Sequence, residues 1–216
     1  MSSSGSGVRR RRGVLFVVSA PSGAGKTSLC QELVTVVPDL RHSVSYTTRP
    51  PRPAEVSGRD YHFVDEAAFR AMITDGAFLE WAEVYGNLYG TPLALIRQWR
   101  EQGIDALLDI DAQGAAQIRN QEPEAVSIFI LPPTLEHLRR RLEARRADSA
   151  DEIARRLRKA KDEIKRYRDY TYVVINDDFK SAVRQLEAIV LAERSRTSGL
   201  DLSGLEQTLL GSQEEG

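Results

Sequence analysis

The chain holds a single cysteine, Cys30, among its 216 residues. One thiol excludes an intramolecular disulfide and any cysteine-rich metal site, and fits a reducing cytoplasm. Long apolar runs are missing too: no stretch approaches the roughly 20 residues that a membrane-spanning helix needs. The run at Val14 is too short to be the core of a signal peptide. Charge of one sign is also lacking. Lys and Arg number 30 against 31 Asp and Glu, a net charge of −1. The average therefore points to neither nucleic acid nor a membrane surface. There are no internal repeats.

What remains is a soluble, globular composition, 41% hydrophobic and 28% charged, in a length that suits one compact domain with small inserts. Charge is unevenly placed. Arg9, Arg10, Arg11 and Arg12 form a basic block, and Gly199 to Gly216 carries three Glu and one Asp with no Lys or Arg. Residues 1–12 and 193–216 read as flexible tails, the first of them basic.

The most informative segment is Ser19-Ala20-Pro21-Ser22-Gly23-Ala24-Gly25-Lys26-Thr27, directly after Val14 to Val18. A strand, a glycine-rich loop and Lys-Thr opening a helix make a phosphate cradle. Loop N–H groups and the helix N-terminus face phosphate oxygens, Lys26 reaches the β- and γ-phosphates, and the Thr27 hydroxyl coordinates Mg²⁺. Ala20 stands where the pattern has glycine, which is acceptable if the backbone there keeps negative φ.

Val14 to Val18, Asp105 to Asp111, Val126 to Leu131 and Tyr172 to Asn176 read as core strands. They alternate with helices at about Gly25 to Val36, Ala112 to Asn120 and Ser181 to Arg194, so an α/β fold with a parallel sheet is expected. A basic helical region spans 134–168. Residues 41–98 break the alternation and read as a separate lobe, with a helix from Asp65-Glu66, a strand Phe78 to Ala82 and a helix opened by Thr91-Pro92.

Asp109 and Asp111 close a core strand, where a parallel sheet places ligands. One carboxylate there can hold Mg²⁺ through water while the other serves a second substrate. Arg49, Arg52, Tyr46 and Tyr61 surround a proline-rich loop, a pattern that fits either a second phosphate site or ordinary surface. The arginines of 134–168 suit a lid lowered onto transferring phosphates better than a nucleic-acid face, because acids are interleaved with them.

From about Gly13 to Ala192 the chain resembles the guanylate kinase family, which phosphorylates GMP with ATP. The resemblance rests on the phosphate loop, on Ser43 to Arg52 followed by Gly58 to Phe63, on Phe78 to Ala82 with Gly86 to Thr91, and on Asp109 to Gly114. It implies a P-loop three-layer fold with a parallel central sheet, an inserted GMP-binding lobe and a helical lid. The core is 13–40 and 99–192, the GMP-binding lobe about 41–98, and the lid about 134–168.

The resemblance also implies roles. Ala20, Pro21, Ser22, Gly23, Ala24, Gly25, Lys26, Thr27 and Asn176 would bind ATP, with Asn176 near the adenine. Arg49, Arg52, Tyr61 and Tyr89 would hold the GMP phosphate, and Ser45, Glu80, Thr91 and Asp111 would read guanine. Lys26, Arg141, Arg145 and Arg156 would be catalytic. Thr27, and Asp109 through water, would serve Mg²⁺. The histidines His42, His62 and His137 are left structural or exposed. The implied reaction is in-line transfer to GMP, and to dGMP, in cytoplasmic purine metabolism and GMP recycling. No nucleic acid or membrane partner is expected, and a homo-oligomer stays open. The alternatives are a protein-binding module of the same family, a kinase for another acceptor, and a nucleic-acid binder.

Overall fold

The computed structural model describes residues 10–84, 86–144 and 150–210. Five parallel strands form the central sheet: β2 (Leu15–Ser19), β3 (Leu40–His42), β8 (Asp105–Asp109), β9 (Val126–Leu131) and β10 (Tyr172–Ile175), in the order β10-β9-β2-β8-β3. β2 lies in the middle and is buried at every residue, as a continuous apolar run with helices on both faces requires.

The period-two alternation of β2 divides the core. Phe16 and Val18 face α1 (Lys26–Val36) and α7 (Phe179–Glu193), in a cluster that includes Leu29, Leu33, Leu186 and Val190. Leu15 and Val17 face α3 (Leu93–Glu101) and α4 (Ala112–Gln121), with Ile96, Leu108 and Ile118. The result is three layers, helix, sheet and helix.

β3 is a fifth core strand beyond the four expected. It is only three residues long and pairs Leu40 with Asp105 and His42 with Leu107. Three residues with one buried side chain carry no legible alternation. The expected strand to Asp111 also stops early. β8 ends at Asp109, and Asp111 instead caps α4, its side chain accepting from the N–H groups of Gln113 and Gly114.

Between β3 and β8 the chain builds a second sheet, ordered β5-β4-β7-β6, from β4 (Tyr46–Thr47), β5 (His62–Phe63), β6 (Phe78–Val84) and β7 (Asn87–Pro92). The helix α2 (Glu66–Thr74) accompanies it, capped by Asp65, whose side chain accepts from Ala68 N–H. Thr91 and Pro92 belong to β7 rather than to a helix, and α3 begins one residue later.

Two helices, α5 (Leu135–Ala144) and α6 (Ala150–Ile164), form a pair around their own small core of Leu138, Leu142 and Ala160. The segments expected as tails carry structure within the described residues. β1 (Arg10–Arg11) pairs antiparallel with β11 (Leu200–Asp201), and α8 (Ser203–Leu210) follows.

Candidate active site

A cleft of about 330 Å³ opens at the carboxyl ends of β2 and β8. One wall is the loop from Ala20 to Thr27. The other is Ser45, Arg52, Tyr61, Glu80 and Tyr89 from the second sheet and its proline-rich loop. Asp109 and Asp111 form the floor, and Arg156, Lys159 and Glu163 of α6 line it as well.

The loop folds as its glycines permit. Gly25 has φ 91° and precedes α1, whose first turn begins with Leu29 N–H donating to the Gly25 carbonyl at 3.1 Å. A Cβ on Gly25 would also sit 2.6 Å from Asn176 Nδ2, so both conformation and space demand glycine. Among the described residues Asp39 is the one non-glycine with positive φ. Ala20 therefore keeps negative φ, which is the condition alanine needs there.

Lys26 donates to the Ile110 carbonyl at 2.8 Å and pairs with Asp109. Burial pulls the Lys26 ammonium down and the Asp109 carboxyl up, but the ion pair wins at both ends, leaving lysine raised, aspartate lowered and both charged. The nearby Thr27 side chain also helps to hold the Asp109 carboxyl low. A hydroxyl and an ionised carboxylate thus stand together where the loop opens. These are hard oxygen donors of the kind Mg²⁺ takes beside nucleotide phosphates, so the residues present fit the ion.

Asn176 and Arg141 converge on one carbonyl. Asn176 Nδ2 donates to Ala24 O at 2.7 Å, and Arg141 Nη1 donates to the same oxygen at 2.9 Å. Arg141 Nη2 donates to Asn176 O at 3.2 Å. Both residues therefore brace the loop from behind. Arg145 lies outside the described residues, whereas Arg156 lies on the cleft wall.

The wall opposite the loop has two layers. Arg52 and the Tyr61–Tyr89 pair, with ring centroids 5.9 Å apart, face the cleft. Arg49 stands behind them, its guanidinium 5.4 Å from the Tyr61 ring, and donates from Nη2 to both Glu55 oxygens at 2.7 and 2.8 Å. Glu55 also accepts from the Arg52 backbone N–H at 2.8 Å. Sequence reasoning missed Glu55, which sits inside a loop read only for its cations.

Glu80 is buried, 5% exposed, on that wall. Alternation along β6, which has a register shift between Phe78 and Glu80, places Leu79 in the core and Glu80, Ala82 and Val84 on the cleft. Thr91 donates its hydroxyl to Glu80 at 2.6 Å, so it acts on the cleft through that carboxylate. Burial pushes the Glu80 carboxyl up to about 7, against the opposing pull of this hydrogen bond. Lys159 and Glu163 were also missed. Their spacing from Arg156, three and seven residues on, marks one helical face.

Comparison with known proteins identifies the family. The protein-family model described as Guanylate kinase matches residues 12–193. The guanylate kinase of Syntrophotalea carbinolica is 54% identical over 189 residues, covering 88% of this chain and 90% of that protein. That of Geobacter metallireducens is 53% identical over 188 residues, covering 87% and 93%. The crystal structure of guanylate kinase from Anaplasma phagocytophilum superposes with a TM-score of 0.80 at 34% identity, covering 94% of this chain and 97% of that one.

Proposed function

Because the chain belongs to the guanylate kinase family, we propose that this cleft transfers the γ-phosphoryl group of ATP to GMP, and to dGMP, with Mg²⁺. One observation carries the reading. A phosphate loop and a separate set comprising Ser45, Arg52, Tyr61, Glu80 and Tyr89 line a single cavity. A donor phosphate seat and an acceptor seat with its own cation face each other there.

The chemistry needs no covalent intermediate. A GMP phosphate oxygen attacks the γ-phosphorus, the bond to the β–γ bridging oxygen breaks, and the residues align, neutralise and exclude water. Loop N–H groups and Lys26 hold the donor phosphates. Arg52, Tyr61 and Tyr89 orient the acceptor phosphate, with Arg49 behind them. Arg156 places positive charge on the cleft wall where α6 covers it. Thr27 and Asp109 would hold Mg²⁺, which when bound neutralises phosphate charge.

Glu80 selects the base. Guanine offers N1–H and N2–H₂ side by side, and a carboxylate accepts both. Adenine offers no such pair and would leave Glu80 buried without compensation. Ser45 and Asp111 complete that pocket wall. The assigned contacts address phosphate and base only, so dGMP is expected to serve. Among the described residues no helix is long and apolar enough to cross a membrane. The reading places the reaction in the cytoplasm, in purine nucleotide turnover.

The test is ADP release with ATP and Mg²⁺ against GMP, dGMP, AMP, UMP and CMP. Turnover is expected with GMP and dGMP. Absence of GMP turnover sinks the proposal, and equal turnover of AMP sinks the role given to Glu80.

A further inference from the structure

We infer that Gly114 is a positioning residue for guanine selectivity: its missing side chain is the space that the Glu80 carboxylate occupies. The inference rests on the reading that Glu80 accepts from guanine. Gly114 is the third residue of α4 and is buried. Glycine is a poor residue inside a helix, and Gly114 does not have the positive φ that would call for one. Something other than backbone conformation favours it. A Cβ on Gly114 would lie 2.2 Å from Glu80 Oε2, 2.9 Å from Glu80 Cδ and 3.3 Å from Ile110 Cδ1. No real carbon approaches an oxygen that closely, so a methyl group and the carboxylate cannot both be where they are.

Four further hydrogen bonds decide which of them would yield. The other Glu80 oxygen accepts the Thr91 hydroxyl at 2.6 Å, so the carboxylate is wedged between Thr91 and the bare face of α4. That face is also fastened to β6, the edge strand that carries Glu80. Gln117 Nε2 donates to Trp81 O at 2.7 Å, Trp81 N–H donates to Gln117 Oε1 at 3.4 Å, and Gln113 Nε2 donates to Glu83 O at 3.4 Å. The glutamines occupy backbone groups along the free edge of β6, and the helix cannot back away without releasing them. The flexible end of Glu80 is the softer part. A methyl group at Gly114 would turn the carboxylate out of its seat and leave the backbone in place.

Gly114 also donates its N–H to Asp111 Oδ1 at 2.9 Å. One residue therefore fixes the cap of α4 with its backbone and makes room for Glu80 with its absent side chain. Alanine keeps the first and removes the second. It is also the better helix former, so folding and the ATP side should survive while base reading fails.

The experiment compares the parent chain, Gly114→Ala, Glu80→Asp and the double variant. It measures steady-state kinetics with GMP and IMP, which lacks the 2-amino group, together with ATP-analogue affinity and thermal midpoint. In Gly114→Ala the KM for GMP should rise about tenfold or more, and the preference for GMP over IMP should fall by a similar factor. ATP-analogue affinity should stay within about twofold. Aspartate is one methylene shorter and clears the methyl group, so in the Glu80→Asp background the same substitution should change the GMP KM by less than about twofold. If Gly114→Ala folds poorly, Glu80→Asp should restore the fold. Unchanged KM and preference, an equal cost in both backgrounds, or a folding defect that Glu80→Asp does not mend overturns the inference. Absence of GMP turnover in the parent chain overturns the functional reading beneath it, and is told apart by that arm alone.

Discussion

The Thr91 hydroxyl lies 2.6 Å from a Glu80 oxygen, and both residues are buried. The hydrogen bond favours the charged carboxylate and burial disfavours it. Burial wins, and the group titrates near 7 rather than near its ordinary 4.5. A carboxyl whose folded pKa is raised adds stability below the unfolded value, and that contribution is lost as pH climbs through the folded value. Desolvation of this buried carboxyl is thus a cost to the fold that grows towards neutral pH.

Glu80→Gln should therefore gain stability relative to the parent chain between pH 5 and pH 8, by up to about 3 kcal/mol, in urea denaturation across that range. Activity should move the other way. In the parent chain kcat/KM for GMP should rise up to about tenfold per pH unit below 7 and level off above it, because only the ionised form accepts both guanine donors. Glu80→Gln should lose that limb. A stability gap that stays constant with pH would return Glu80 to the ordinary carboxylate range.

Glu55 accepts from Arg49 Nη2 twice and from the Arg52 backbone, so it braces the loop that carries both arginines. Glu55→Ala should raise the KM for GMP about tenfold with kcat little changed, as expected for lost uniform binding, with Glu55→Gln intermediate. Fluorescence titration with GMP checks the binding part. A lowered KM would instead make Glu55 a competitor for the acceptor phosphate.

The resemblance implies catalytic roles for Arg141, Arg145 and Arg156; within the described residues Arg141 and Arg156 make different contacts. Arg141 donates to the Ala24 and Asn176 carbonyls, and Arg156 lines the cleft. Arg141→Met should act through loop geometry, raising the KM for ATP about tenfold, whereas Arg156→Met should lower kcat by about a hundredfold or more. Single-turnover measurements at saturating ATP make the comparison clean. Equal loss of kcat in the two variants would restore the shared role.

The main frame was legible because its signals are continuous. Val14 to Val18 has no polar interruption, and the loop after it carries glycines where positive φ is needed. Asp65 before an apolar face announced α2 correctly. What escaped depends on contacts between distant segments. β3 exists because β8 offers an edge beside three residues. The register shift between Phe78 and Glu80 hides behind what reads as plain alternation. Asp111 looks like a strand residue until Gln113 and Gly114 turn their N–H groups toward it. Asn176 shows its role only when Ala24, 152 residues away, is alongside.

The chain ends supply a test at the far side of the sheet from the cleft. Asp105 begins β8 and its side chain is wholly buried. It pairs with Arg11, accepts from Arg194 Nε at 2.7 Å and from Val14 N–H at 2.8 Å, and Arg194 reaches on to the Pro38 carbonyl at 2.6 Å. Exposed ion pairs contribute about 0–1 kcal/mol, but breaking a buried one strands its partners and costs about 3–5 kcal/mol. Burial of Asp105 puts it in the second class. Asp105→Ala should therefore lower stability by about 3–5 kcal/mol, about 10 °C in thermal midpoint for a domain of this size. The KM values for ATP and GMP should hold below the transition, because the substitution lies at the opposite end of β8 from Asp109. A loss under about 1 kcal/mol would place Asp105 with the surface pairs. A shift in either KM would mean that the latch at the chain ends reaches the cleft through β8.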